Sequence, residues 1–186
     1  MILLFKTDEM GGAKSMLCLG FIMALFFFKR KVSYVLPMLR LCQYLKCKRG
    51  IFAKIFKKCA FRRYSELAES FNVYIPVDTS IGRGVCFAHY FPVVINPSAT
   101  IGENCIIHPC VLIARDRGKD GAPVIGDNCF VGHGAKIIGN PTVGDWSFIC
   151  PGAIVTKDMP EGSLIGSGVN NLLSYKGKEH VLLYQK

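Results

Sequence analysis

Three histidines, His89, His108 and His133, carry the chemistry most readily read from this chain of 186 residues. An imidazole titrates near about pH 6.5, so at neutral pH it can take the proton of an alcohol while that alcohol attacks an acyl carbon. Aligning the chain with itself brings the three together. Four similar segments, IGRGVCF (81–87), IGENCII (101–107), IGDNCFV (125–131) and VGDWSFI (143–149), are followed by the hexads AHYFPV, HPCVLI, GHGAKI and CPGAIV. His89 and His133 share a column of that alignment, and His108 stands one column earlier. In stacked strands about 4.8 Å apart, such residues form one vertical strip. His89 is the best candidate for a general base, because the repeat gains two residues directly after it, in His-Tyr-Phe-Pro-Val-Val. A broken repeat beside a titratable group is where sites arise. His180 lies beyond the repeat in a charged tail and is read as a bystander.

The element that positions these groups repeats every six residues. Ile75, Ile81, Phe87, Ile95, Ile101, Ile107, Ile113, Ile125, Val131, Ile137, Val143, Ile149 and Val155 fall on one grid, and all are large and apolar. Only about half the chain is apolar, so chance would leave many grid positions polar. Glycine follows the grid residue at Gly82, Gly102, Gly126, Gly132 and Gly144, and small residues such as Ala99, Cys105, Cys129 and Ala153 precede it by two. Six fits neither an amphipathic helix nor simple alternation; it fits a β-solenoid. The matched segments start 20, 24 and 18 residues apart, and three hexads make one triangular coil. The longer spacings imply two extra residues near Val93–Val94 and six between Ile113 and Ile125. The six belong to the polar stretch 114–123, where Lys119 falls on a grid position. A lysine is too costly to desolvate in an axial core, so this stretch is predicted to leave the coil as a loop.

Charge divides the chain. Residues 1–65 hold fourteen Lys/Arg against Asp8 and Glu9, whereas residues 66–186 hold nine against eleven Asp/Glu. The basic part reads as helical over 15–28, 32–47 and 51–72. The uncharged run 15–28, which ends at Lys29-Arg30-Lys31, is shorter than the ~20 residues of a membrane span. No small-residue cleavage site follows it. Two uses are open: apolar helices packed on the solenoid or a neighbouring subunit, or interfacial helices on an anionic membrane surface. No nucleic-acid recognition motif accompanies the charge. The cysteines form no C-x-x-C pair, and Cys105 and Cys129 occupy inward grid positions, which argues for free thiols in a reducing cytoplasm. No metal is expected: γ-class carbonic anhydrases use a similar scaffold, but their two histidines five positions apart in one coil have no counterpart here.

The blocks IGDNCFVGHGAKIIGN, VGDWSFICPGAIVTKDMPEGS and IPVDTSIGRGVCFAHYFPVVINPSATIGENC resemble the hexapeptide-repeat acyltransferases, and within them the serine acetyltransferase-like branch. The resemblance covers about residues 73–170. It implies a mainly β chain with a left-handed parallel β-helix over 73–166, carrying the extruded loop 114–123. Residues 1–72 would then be a basic helical segment and 167–186 a C-terminal tail. It also implies a homotrimer, acetyl-CoA in the groove between solenoids, and His89 as catalytic base for direct attack on the thioester. Ala114, Arg115, Gly132, His133, Gly134 and Lys136 are the implied cofactor contacts, with Arg117 and Lys119 further cations of the loop. Tyr74, Tyr90 and Asn96 are the implied acceptor contacts.

The chain departs from serine acetyltransferases at defined places. The carboxylates expected to support the base align with Tyr74 and Ala88, a second family histidine aligns with Ala122, and the ending near the last coil is Ser167-Gly-Val-Asn-Asn-Leu172. Serine is small and zwitterionic and needs charged partners. The expected activity is therefore acetyl-CoA-dependent O-acetylation of a saccharide or glycolipid hydroxyl, closest in character to capsule and exopolysaccharide O-acetyltransferases. The alternatives are serine O-acetylation for cysteine biosynthesis, N-acetylation of an amino-sugar nucleotide, and a non-catalytic trimeric scaffold. A cytoplasmic protein, peripheral at the inner membrane surface, is the corresponding location.

Overall fold

The computed structural model describes residues 34–89, 92–116, 118 and 120–185. The run 15–28 and the residues Tyr90, Arg117 and Lys119 lie outside them. The described residues divide into two compact units, one over 34–73 and one over 74–185.

In the first unit, α1 (Val35–Lys46) and α2 (Ile51–Ser70) occupy the two described stretches expected to be helical. They pack on one another. Val35, Met38, Leu39 and Cys42 are buried on α1, and Ala60, Tyr64, Leu67 and Ala68 on α2. Burial pushes the Cys42 thiol up to about 12, so it is a packing group and not a reactive thiolate. No described helix is long and apolar enough to cross a membrane.

The second unit is a parallel β-solenoid whose coils visit three sheets in turn. The first sheet stacks β1 (Val73–Tyr74), β4 (Val93–Ile95), β7 (Leu112–Ala114), β10 (Lys136–Ile138), β13 (Ala153–Val155) and β15 (Gly168–Val169). The second stacks β2 (Ser80–Ile81), β5 (Thr100–Ile101), β8 (Val124–Ile125) and β11 (Thr142–Val143). The third stacks β3 (Cys86–Phe87), β6 (Ile106–Ile107), β9 (Phe130–Val131), β12 (Phe148–Ile149), β14 (Leu164–Gly166) and the antiparallel β16 (Asn171–Ser174). Pairing follows the self-alignment: Ile81 meets Ile101, Ile101 meets Ile125, and Ile125 meets Val143.

Grid residues fill the axis. Ile95, Ile107, Ile113, Ile137 and Ile149 are fully buried, and each contributes roughly 1.5–3 kcal/mol by leaving water. Phe87 alone of the thirteen is half-buried, beside Ala88 and His89. The glycines after the grid residues are demanded by stacking: a Cβ on Gly82 would enter the backbone of Gly102, and one on Gly102 that of Gly126. Aspartates secure the same corner, Asp127 accepting the Glu103 N–H at 2.7 Å and Asp145 the Asp127 N–H at 2.8 Å. Cys105 and Cys129 are more than compact apolar fillers, since their thiols donate to the carbonyls of Gly126 and Gly144 at 3.1 and 3.3 Å. The described cysteines are free thiols.

Two positions need correction. The two extra residues precede Val93, because Val94 and Ile95 already pair in register with Leu112 and Ile113. The C-terminal tail is also more than an appendage. β16 turns back on β14, and α3 (Gly177–Tyr184) packs beside β12 and β14, with Val181 fully buried against Ile106, Phe130 and Phe148.

Candidate active site

The corner where each coil passes from the third sheet to the first carries the three histidines. The fold builds this corner by backbone bonds between coils. Ala88 N–H donates to Ile107 O at 2.9 Å, His108 N–H to Val131 O at 2.9 Å, and Gly132 N–H to Ile149 O at 2.8 Å. These bonds put His108 above Ala88 and below Gly132, and leave His89 and His133 on the outer side of the turn, both exposed. His89 has a left-handed backbone, φ 62°, uncommon for a residue with a side chain. Its ring stands edge-on to His108, centroids 6.4 Å apart. His108 is half-buried, tilted onto Phe130 at 4.7 Å. Burial lowers its pKa, and the charges that His89 and His133 would carry lower it further. His108 thus stays neutral at neutral pH and joins the two exposed imidazoles into one strip.

His89 is the better candidate base from the repeat, and the column of His108 carries a signal of its own. Its companions there, Ala88, Gly132 and Cys150, are small, so a larger ring in that column must pack against its neighbours. Its support is an aromatic ladder outside the third sheet: Phe130 stacks on Phe148 at 4.3 Å, and Tyr184 and His180 of α3 lie 4.5 Å from Phe130 and 5.4 Å from Phe148. His180 is therefore a packing residue of this ladder and not a feature of a loose tail. Ala88 packs on the same cluster, so a carboxylate at this position would face apolar side chains.

The other implied contacts fall on the first sheet and its two edges. Lys136 is exposed at the start of β10, on the histidine side, with Gly132 and Gly134 just before it. A Cβ on Gly132 would lie 2.6 Å from Pro151 N, whereas one on Gly134 (φ 68°) would meet nothing within 4 Å. Gly134 therefore leaves an open shelf beside His133. Ala114 ends β7 at the far edge of the sheet, where Arg115 is exposed at the root of the extruded loop. This loop joins β7 to β8, and Gly121 returns it over Asn140. Asn96 is also at this far edge, and its side-chain oxygen accepts the Ser98 N–H at 2.9 Å. That bond makes Asn96 a turn-former, away from the histidine corner. Tyr74 is exposed on the outermost strand of the sheet. Within one chain, then, the histidines and the Arg115 edge are separated by the width of the sheet. No group of three or more His, Cys, Asp and Glu among the described residues is arranged to hold a metal ion.

Residues 122–157 match the family model described as bacterial transferase hexapeptide (six repeats). The chain is 30% identical over 122 residues to serine acetyltransferase 4 of Arabidopsis thaliana, covering 64% of this chain and 34% of that protein. It is 33% identical over 116 residues to the bifunctional protein GlmU of Aquifex aeolicus, covering 62% and 24%. Among solved structures it resembles the soybean serine acetyltransferase apoenzyme, with a TM-score of 0.60, 29% identity and coverage of 75% and 56%. A serine acetyltransferase of Brucella abortus in complex with coenzyme A shares the fold, with a TM-score of 0.66 at 23% identity and coverage of 82% and 59%. The chain spans only 24–34% of the two curated relatives just given.

Proposed function

We propose that this chain, similar to hexapeptide-repeat transferases and to serine acetyltransferases, transfers an acetyl group from acetyl-CoA to a hydroxyl, with His89 as general base. The observation that carries this reading is the histidine strip: an exposed imidazole at a left-handed corner, held beside a neutral second imidazole. The bound co-substrate supplies an activated acyl group, so the protein needs to supply only a base and a place to lie. His89 takes the acceptor's proton as the C–O bond forms and returns it to the departing sulfur. His108, kept neutral by its burial, packs edge-on beside this base. The open shelf at Gly134 suits a slender thioester arm, and the exposed cations Lys136 and Arg115 suit its phosphates.

The recurrence of serine acetyltransferases among the relatives favours L-serine as acceptor over the saccharide expected from the sequence. The saccharide hydroxyl is kept as the second reading on one observation: Tyr74, Ala88 and Ala122 stand where charged or imidazole partners of a zwitterion would be expected, and Ala88 is packed on apolar side chains. Release of free thiol from acetyl-CoA, measured with L-serine and with a panel of sugars, separates the two. His89→Ala should lower kcat/KM by about a hundredfold to ten-thousandfold with the true acceptor. Transfer at the wild-type rate by that variant would remove His89 from the mechanism.

A further inference from the structure

We propose that the outward face of α2 is a docking surface for an anionic lipid bilayer. Ala60, Tyr64, Leu67 and Ala68 turn one side of this helix inward. At 100° per residue, Ile51, Ile55, Lys58 and Arg62 cluster on the opposite side. Ile51 is 77% exposed and Ile55 57%, whereas a solvated helix face normally carries polar residues there. Lys54 and Phe61 flank them on one edge, both exposed. Exposed Lys48 and Arg49 precede the helix, Lys48 lying over the Tyr44 ring at 4.6 Å. No acidic residue occurs from 51 to 65. Glu66 follows a turn later and is occupied by Arg62 and Arg63 at 3.2 and 3.3 Å.

Aliphatic side chains at the centre of a cationic face point to a partner that takes both at once. A headgroup layer over acyl chains does so: isoleucines enter shallowly while lysines and arginines remain at the phosphates. A nucleic acid would use the cations and leave Ile51 and Ile55 in water. An acidic protein or a second copy would need a shaped counter-surface. The sequence upstream of α1 repeats the same chemistry, with uncharged residues 15–28 followed by Lys29-Arg30-Lys31. This inference does not depend on the acyl acceptor, and its test reads binding and not catalysis.

The test uses the full chain and sedimentation with vesicles of phosphatidylcholine, alone or mixed with phosphatidylglycerol. Binding is expected only to the mixed vesicles, and should weaken as salt is raised toward about 0.5 M. Ile51→Ser with Ile55→Ser should weaken it about tenfold, and Lys54→Glu with Lys58→Glu at least as much. The second pair keeps the apolar side chains, so it decides should the serine pair fail to fold. Equal binding to neutral vesicles, or wild-type binding by the charge-reversed variant, would overturn the proposal. So would a fall in oligomeric mass, by light scattering without lipid, in either folded variant, since the face would then be an interface between copies.

Discussion

His108 is the residue whose behaviour reports on the whole histidine strip. It is half-buried, and the groups facing it are His89, His133 and the Phe130 ring. The folded protein therefore resists protonating it, whereas the unfolded chain takes that proton near about pH 6.5. Below that pH the unfolded state binds more protons, so stability is present above it and falls as the solution is acidified. Replacing the ring removes the difference. The thermal midpoint of His108→Gln should fall less than that of the wild type between about pH 7 and pH 5. Identical slopes would mean that His108 protonates freely in the folded chain. Sequence reasoning reached the three histidines through the column alignment, which captures the corner but not the depth of each ring. Depth depends on Phe130, Phe148 and α3, which come from other coils and from beyond the repeat.

At the scale of the element, the histidine corner rests on two glycines that look alike in sequence and differ in what they do. Gly132 is buried, and a Cβ there would press on Pro151 N and Ile149 O of the next coil at 2.6 and 2.7 Å. Backbone cannot swing aside as a side chain does, so Gly132→Ala should cost about 1–3 kcal/mol or more through strain. Gly134 faces open space but has φ 68°, so Gly134→Ala should cost about 1–2 kcal/mol through the left-handed backbone alone. Denaturant unfolding gives both values. A cost below about 1 kcal/mol at Gly132 would mean that the next coil yields there, as a loosely stacked solenoid would. Most of this level was legible: the grid gave the axial core, the spacings gave the in-register coils, and the polar stretch after Ala114 falls between β7 and β8. The packing of the 177–184 helix was not legible, because a short helix that fills an aromatic ladder follows no period of its own.

At the scale of the whole molecule, the first sheet poses a question that a single chain leaves open. His89, His133 and Lys136 lie at or near one edge, while Ala114, Arg115 and the loop lie at the other, across a strand of three residues. Such a strand is about 10 Å long, so within one chain the cofactor would have to cross the sheet to meet both edges. The homotrimer that the family resemblance implies would instead set the histidine edge of one solenoid against the loop edge of the next. Light scattering should then give a mass of about three times the 20.6 kDa chain. The sharper consequence is complementation. Arg115→Glu should raise the KM for acetyl-CoA, so a low acetyl-CoA concentration silences both this variant and His89→Ala as homotrimers. Co-expressed in equal amounts, the two would assemble at random. About one site in four would then draw an intact His89 from one subunit and an intact Arg115 from its neighbour. Recovery of about a quarter of wild-type activity is therefore expected in the mixture. No recovery would mean that each chain builds its site alone, and Arg115 would then lose its place among the cofactor contacts.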